Sequence, residues 1–187
     1  MKHRTALLAG TILLALLVFP PCVHGQEVML KNLVLDNVAG TIQLRFGVKT
    51  VDTEELKAYL EEGVTLRLQC SAKLKANKSL WWDETLREQE VAFELKNNPL
   101  TRKYVLRNVT EKRTMRNKDL ETLIRSNWGH MVLEMGRWPK APKGREYVLE
   151  LKVRLERADI PVWLRRALFF WSWEVVPVKT YRMNFTF

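Results

Sequence analysis

The feature that most constrains the fold is a strict alternation of apolar and polar residues from Val64 to Leu74. Successive side chains of a β-strand point to opposite faces of the sheet, so this pattern predicts a strand with one buried and one solvated face. The same period of two recurs later in the chain, at positions 42–48, 91–95, 147–155 and 181–187. The chain is therefore predicted to be built mainly from half-buried strands.

Turn and helix signals separate these strands. Residues Asp36–Gly40 predict a hairpin between an apolar run, Val28–Leu35, and the strand that follows it. The sequence Asp-Thr-Glu-Glu at Asp52–Glu55 has the form of a capping box and predicts a helix that Gly63 ends. Asn117 is predicted to cap a second helix, Lys118–Asn127.

Two further strands complete the prediction for the middle of the chain. One covers Glu84–Lys96, and after a turn at Asn97–Pro99 the other covers Leu100–Asn108, with Leu100 on its buried face. Short turns between neighbouring strands favour antiparallel pairing. We expect one α+β domain over residues 26–187, mostly antiparallel β, forming a sandwich-like or half-open barrel domain with two or three short helices.

The first 25 residues have the pattern of a signal peptide. A basic start precedes the uncharged apolar run Thr5–Phe19, and Val23 and Gly25 occupy the positions that favour cleavage before Gln26. The protein is therefore predicted to be exported to the periplasm or cell envelope and cleaved after Gly25. Without this leader the formal charge falls from +10 to +8, because Lys2 and Arg4 are lost. A basic exported chain has anionic surfaces as candidate partners, and nucleic acid is not expected.

Few residues of the mature chain suit catalysis. Cys22 leaves with the leader, so Cys70 has no partner for an intrachain disulfide, and its place in the alternation indicates a small buried side chain. His130 is the single histidine outside the leader. No nucleophile motif, metal-ligand spacing or glycine-rich phosphate loop is present. We therefore expect no enzyme activity, no cofactor and no metal.

The densest aromatic segment of the mature chain is Asp159–Trp173. Asp159 and Pro161 suit the start of a short helix that would carry one broad apolar face and a pair of arginines. The candidate interaction surface consists of Trp163, Arg165, Arg166, Phe169, Phe170, Trp171 and Trp173. Trp81 and Trp82, in a predicted loop, form a secondary candidate, since paired tryptophans stack on sugars.

The order of features resembles the Domain of Unknown Function 4390 family, a group of bacterial exported proteins. The resemblance rests on Glu55–Leu68, the strand from Leu100 to Leu106, the helix at Asp119–Ile124 and, most strongly, Tyr147–Leu155 leading into Asp159–Leu164. It implies an envelope location and no established activity. Family members are thought to lie beside sensor-kinase genes, which implies a role in envelope signalling.

Three functions follow as expectations. The first is a non-catalytic, exported protein-binding or signalling-accessory module whose aromatic segment contacts an envelope protein. The second is a peripheral protein that docks on an anionic membrane through Asp159–Trp173. The third is a glycan-binding or carbohydrate-active protein that uses Trp81 and Trp82. The sequence does not predict the oligomeric state.

Overall fold

The computed structural model describes residues 28–50, 52–76, 84–137, 144–158 and 174–186. These residues form nine strands and two helices. In chain order they are β1 (Val28–Val38), β2 (Thr41–Thr50), α1 (Thr53–Glu61), β3 (Leu66–Ala76), β4 (Glu84–Asn98), β5 (Lys103–Asn108), β6 (Arg113–Asn117), α2 (Leu120–Trp128), β7 (Met131–Arg137), β8 (Glu146–Arg157) and β9 (Glu174–Thr186).

The strands form two antiparallel sheets. The first has three strands in the order β1-β2-β7, and the second has six in the order β6-β5-β4-β3-β8-β9. The predicted α+β class, with mostly antiparallel strands, is confirmed. Of the two predicted architectures the sandwich is correct, since the sheets formed by the described residues do not close into a barrel.

One core lies between the sheets and the two helices. The alternating apolar residues predicted for β3 and β8 are buried, as are Leu44 and Phe46 of β2. These side chains belong to one continuous apolar cluster, which also includes Trp128 at the end of α2. The inner faces are thus filled by aliphatic side chains, and the charged residues that alternate with them point outward.

Local signals in the first third of the chain predicted its structure correctly. β1 and β2 form a hairpin through Ala39 and Gly40. The Asp52 carboxylate accepts hydrogen bonds from the backbone N–H groups of Glu54 and Glu55 at the start of α1. At the other end the Gly63 N–H donates to the Leu60 carbonyl and the Val64 N–H to the Tyr59 carbonyl, which is a Schellman motif.

Two local predictions were wrong and one strand was missed. Leu100 was expected on the buried face of a strand, but it lies in a turn and is almost fully exposed. The second helix is capped by Asp119 rather than Asn117, because the Asp119 carboxylate accepts from the first-turn N–H groups while the Asn117 amide oxygen accepts from the Asp119 N–H. β6 was not predicted, since its sequence has no apolar alternation.

Several predictions fall on residues outside the described ranges. These are the signal peptide, the loop with Trp81 and Trp82, and the aromatic segment Asp159–Trp173. Among the residues that the structure describes, no helix is long and apolar enough to cross a membrane.

Candidate binding groove on the six-stranded sheet

The outer face of the six-stranded sheet carries mostly charged and polar side chains, and one end of it forms a groove. The groove has a volume of about 480 Å³ and lies over β3, β4, β5 and β6, beside Ala158. Four basic side chains line it against one carboxylate; the charged residues are Arg67, Lys96, Arg107, Arg116 and Glu94. We call this feature the basic groove.

Cross-strand register sorts these charges into two rows. In the first row Arg107 of β5 faces Glu94 of β4, and Glu94 faces Arg67 of β3. Glu94 contacts both arginines: the Arg67 guanidinium donates to it at 2.5 Å, and an Arg107 nitrogen lies 3.8 Å from its second oxygen. The single carboxylate of the groove is therefore shared between two cations of its own row.

The second row has cations without an acidic neighbour. Val105 of β5 lies between Lys96 of β4 and Arg116 of β6. Val105 is buried, whereas Lys96 and Arg116 are exposed. Neither of these cations makes an ion pair within the described part of the chain. The basic groove thus offers two unmatched positive charges on either side of an apolar floor.

A second charged cluster on the same outer face is built around one buried carboxylate. The Glu150 carboxylate is nearly fully buried and lies 3.2 Å from the ammonium groups of Lys75 and Lys152 and 3.3 Å from the Arg182 guanidinium. Burial opposes ionisation of this carboxyl, but hydrogen bonds from Lys152 and Lys75 outweigh it and lower its pKa. This cluster is a structural ion-pair network in which the buried group is fully engaged.

The candidate nucleophile is inside the core. Cys70 is fully buried, as predicted, and burial raises the pKa of its thiol. His130 is exposed near the end of α2. Other pKa shifts also have structural causes: burial and a hydrogen bond to Glu55 raise the pKa of Tyr59, and hydrogen bonds from Thr122 lower that of Asp119. Residues 28–50, 52–76, 84–137, 144–158 and 174–186 contain no group of three or more His, Cys, Asp or Glu side chains that could hold a metal ion.

Both surfaces predicted from the sequence lie outside the described residues. They are Trp81 and Trp82, and the set from Trp163 to Trp173. The basic groove was not predicted, because its residues come from four strands and no stretch of sequence brings them together. The available signal was the basic residues at outward positions, Arg107 of β5 and Arg116 of β6, which become informative once the register of the strands is known.

Comparisons with known proteins place the chain in a family. A family model described as a domain of unknown function, DUF4390, matches residues 25–184. Searches of curated proteins and of solved structures found no match.

Proposed function

The chain belongs to the DUF4390 family, whose description assigns no activity, and from that premise we propose that it is a non-catalytic, exported module that binds an acidic segment of an envelope protein in the basic groove. Export and envelope location are supported by the leader pattern of residues 1–25. The absence of catalysis is supported by the burial of Cys70, whose thiol remains protonated inside the core.

The observation that carries the proposal is the pair of unmatched cations, Lys96 and Arg116. They stand two strands apart, and since neighbouring strands are about 4.8 Å apart, their backbones are separated by about 10 Å. Long basic side chains that start at this distance can both reach one carboxylate placed above Val105. The resulting hydrogen bonds would be charge-assisted, and these are stronger than neutral ones.

The shape of the basic groove favours a chain segment over a small anion. The row of Lys96, Val105 and Arg116 runs across the strands, and the row with Glu94 runs beside it. An extended acidic segment laid along the row of Lys96, Val105 and Arg116 would bring its carboxylates to both cations. The mature chain's charge of +8 would increase the rate at which such a partner is encountered.

The test measures binding of a fluorescent hexaglutamate peptide by anisotropy, with hexaglutamine as the uncharged probe. We expect hexaglutamate to bind and the affinity to fall as salt is added, because exposed charges are screened. The double variant Lys96→Gln, Arg116→Gln should lose affinity about tenfold, since exposed ion pairs contribute roughly 0.7 kcal/mol each. The control Lys112→Gln, Lys118→Gln removes two exposed cations outside the groove and should bind as the parent does.

Two results would contradict the proposal. One is equal binding of hexaglutamate and hexaglutamine. The other is an equal loss of affinity in the groove variant and the control variant, which would show that only total charge matters. Docking through Asp159–Trp173 and glycan stacking on Trp81 and Trp82 stay predictions, because those residues are not described.

A further inference from the structure

We propose that the outer face of the three-stranded sheet docks on the surface of an anionic phospholipid bilayer. This surface, which we call the β1–β2–β7 face, lies on the opposite side of the sandwich from the basic groove. The proposal does not depend on the function proposed for the groove.

Exposed aliphatic side chains concentrate on this face. Among the described residues five large hydrophobic side chains are exposed, and four of them, Met29, Val34, Val38 and Val132, lie on β1 and β7 with 40–53% of their surface accessible. Their register partners on β2, such as Lys49 opposite Met29 and Arg45 opposite Val34 and Val132, also point outward. The aliphatic groups therefore project from one side of one sheet.

Positive charge is interleaved with these aliphatic groups. The outward charged side chains are four basic residues, Lys31, Arg45, Lys49 and Arg137, against two carboxylates, Asp36 and Glu134. Arg45 pairs with Asp36. Lys31, Lys49 and Arg137 make no ion pair within the described part of the chain. The face carries an excess of two positive charges.

A recess at one end of the face brings two of these cations together. It has a volume of about 380 Å³, and its lining includes Lys31, Lys49 and Gly47 of the sheet and the Glu121–Arg125 ion pair of α2. Lys31 faces Gly47 and Met29 faces Lys49, so the two lysines are diagonal neighbours whose Cα atoms are about 7–8 Å apart. Gly47 contributes only backbone to the recess, and the Gly129 backbone lies against it. An anionic group of headgroup size fits this recess, with Met29 beside it.

The interleaving of aliphatic and basic groups favours a lipid surface over a protein partner. A protein interface has an apolar centre from which charged residues are depleted, whereas here single aliphatic side chains alternate with lysines and arginines. A bilayer interface accepts both at once, because the aliphatic groups enter the acyl boundary while the cations stay at the anionic headgroups.

The test is sedimentation of the exported chain, purified from the envelope, with vesicles of phosphatidylcholine alone or of equal parts phosphatidylcholine and phosphatidylglycerol. We expect binding to the anionic vesicles only. The double variant Lys31→Gln, Lys49→Gln should bind them about thirtyfold more weakly, because a basic residue near an anionic membrane contributes about 1 kcal/mol. The variant Val34→Thr, Val132→Thr changes no charge and should also bind more weakly.

The groove variant Lys96→Gln, Arg116→Gln is the matched control, with two cations removed from the opposite face. If it loses vesicle binding as strongly as the Lys31, Lys49 variant does, the proposed face is wrong. The proposal would also be overturned if Val34→Thr, Val132→Thr bound the anionic vesicles as strongly as the parent. In that case the aliphatic side chains would not contribute, and the face would attract anions in general rather than a bilayer. Circular dichroism and thermal unfolding show that each variant is folded.

Discussion

At Glu150 a single buried carboxylate pairs with three basic side chains on the outer face of the six-stranded sheet. A buried charge is costly unless it is paired and hydrogen-bonded, and here Lys75, Lys152 and Arg182 provide the pairing. The network ties β3, β8 and β9 together across the sheet.

We predict that Glu150→Gln lowers the free energy of unfolding at pH 7 by about 2 kcal/mol, the range for hydrogen bonds to a charged group. The pKa of Glu150 is lower in the folded chain than its ordinary value of 4.5. The contribution of Glu150 to the free energy of unfolding is therefore complete above pH 4.5, and it is lost as the pH falls through the pKa of the folded chain. The difference between parent and variant in urea titrations should therefore stay constant from pH 7 to about pH 5 and then shrink. The control Glu121→Gln removes an exposed i,i+4 pair with Arg125 and should cost at most about 0.5 kcal/mol.

Cys70 carries a thiol, a potentially reactive group, and its position in the core makes that thiol unreactive. Its thiol is fully buried and its pKa is raised by burial. We predict that iodoacetamide does not modify the native chain at Cys70 and does so after unfolding in guanidinium, as read by mass spectrometry. Cys70→Ser should cost about 2 kcal/mol, because it buries a hydroxyl, and Cys70→Ala about 1 kcal/mol. Rapid modification of the native chain, or a serine variant as stable as the alanine variant, would contradict this account.

At the scale of elements, β2 and α2 meet through two glycines. A Cβ atom on Gly47 would lie 2.4 Å from the Gly129 carbonyl oxygen, at the C-terminal end of α2. Because this oxygen belongs to the backbone, it moves only if the helix end moves. Gly47 and Gly129 both line the recess on the β1–β2–β7 face.

We predict that Gly47→Ala lowers the free energy of unfolding by about 2 kcal/mol through this steric conflict. Gly63→Ala is the control, because it separates the cost of backbone strain from the cost of a steric conflict. That position has a positive φ but no atom near its Cβ, so the expected cost is about 1 kcal/mol, from backbone strain alone. Denaturant titration of both variants measures the difference. A Gly47→Ala variant as stable as the parent would show that α2 shifts freely against β2.

The elements that the sequence predicted are those in which one signal dominates. β3 alternates without exception, and Val148 is the one break in the alternation of β8 from Tyr147 to Leu155. Both strands are central in the six-stranded sheet, and their alternating apolar residues are buried as the pattern predicts. β6 is an edge strand with two half-buried residues, Met115 and Asn117, and such a strand is defined by its pairing with β5 rather than by its own sequence. Two capping residues lie two positions apart before α2: Asp119 accepts from the first-turn N–H of Thr122, whereas Asn117 accepts from the Asp119 N–H in the turn before the helix.

The candidate sites were harder to predict because they depend on register. Lys96, Val105 and Arg116 form a row only when β4, β5 and β6 pair in the observed alignment, and a slip of one residue would send all three to the core. Long-range pairing of this kind is set by the whole sheet. The sequence could therefore predict charged outer faces but not which charges remain unmatched on them.

The whole molecule is a sandwich with two different outer faces. One carries the basic groove over β3 to β6, and the other carries aliphatic and basic side chains over β1, β2 and β7. Because the inner faces share a single core, the two outer faces point in opposite directions. A sandwich that rests on a membrane with its three-stranded sheet would present the groove to the aqueous side, where a protein segment can enter it.

This arrangement requires that the two sheets behave as one body. We predict that Leu44→Ala in β2 and Leu68→Ala in β3 each lower the free energy of unfolding by about 3 kcal/mol, the range for a cavity in a packed core. Since both side chains belong to the same apolar cluster, either change should reduce native-state hydrogen-exchange protection in both sheets by the same amount. Val132→Thr, at an exposed position, should leave protection in both sheets unchanged. Loss of protection confined to β1, β2 and β7 in the Leu44→Ala variant would mean that the sheets unfold separately, and the two faces would then not be held in a fixed relation.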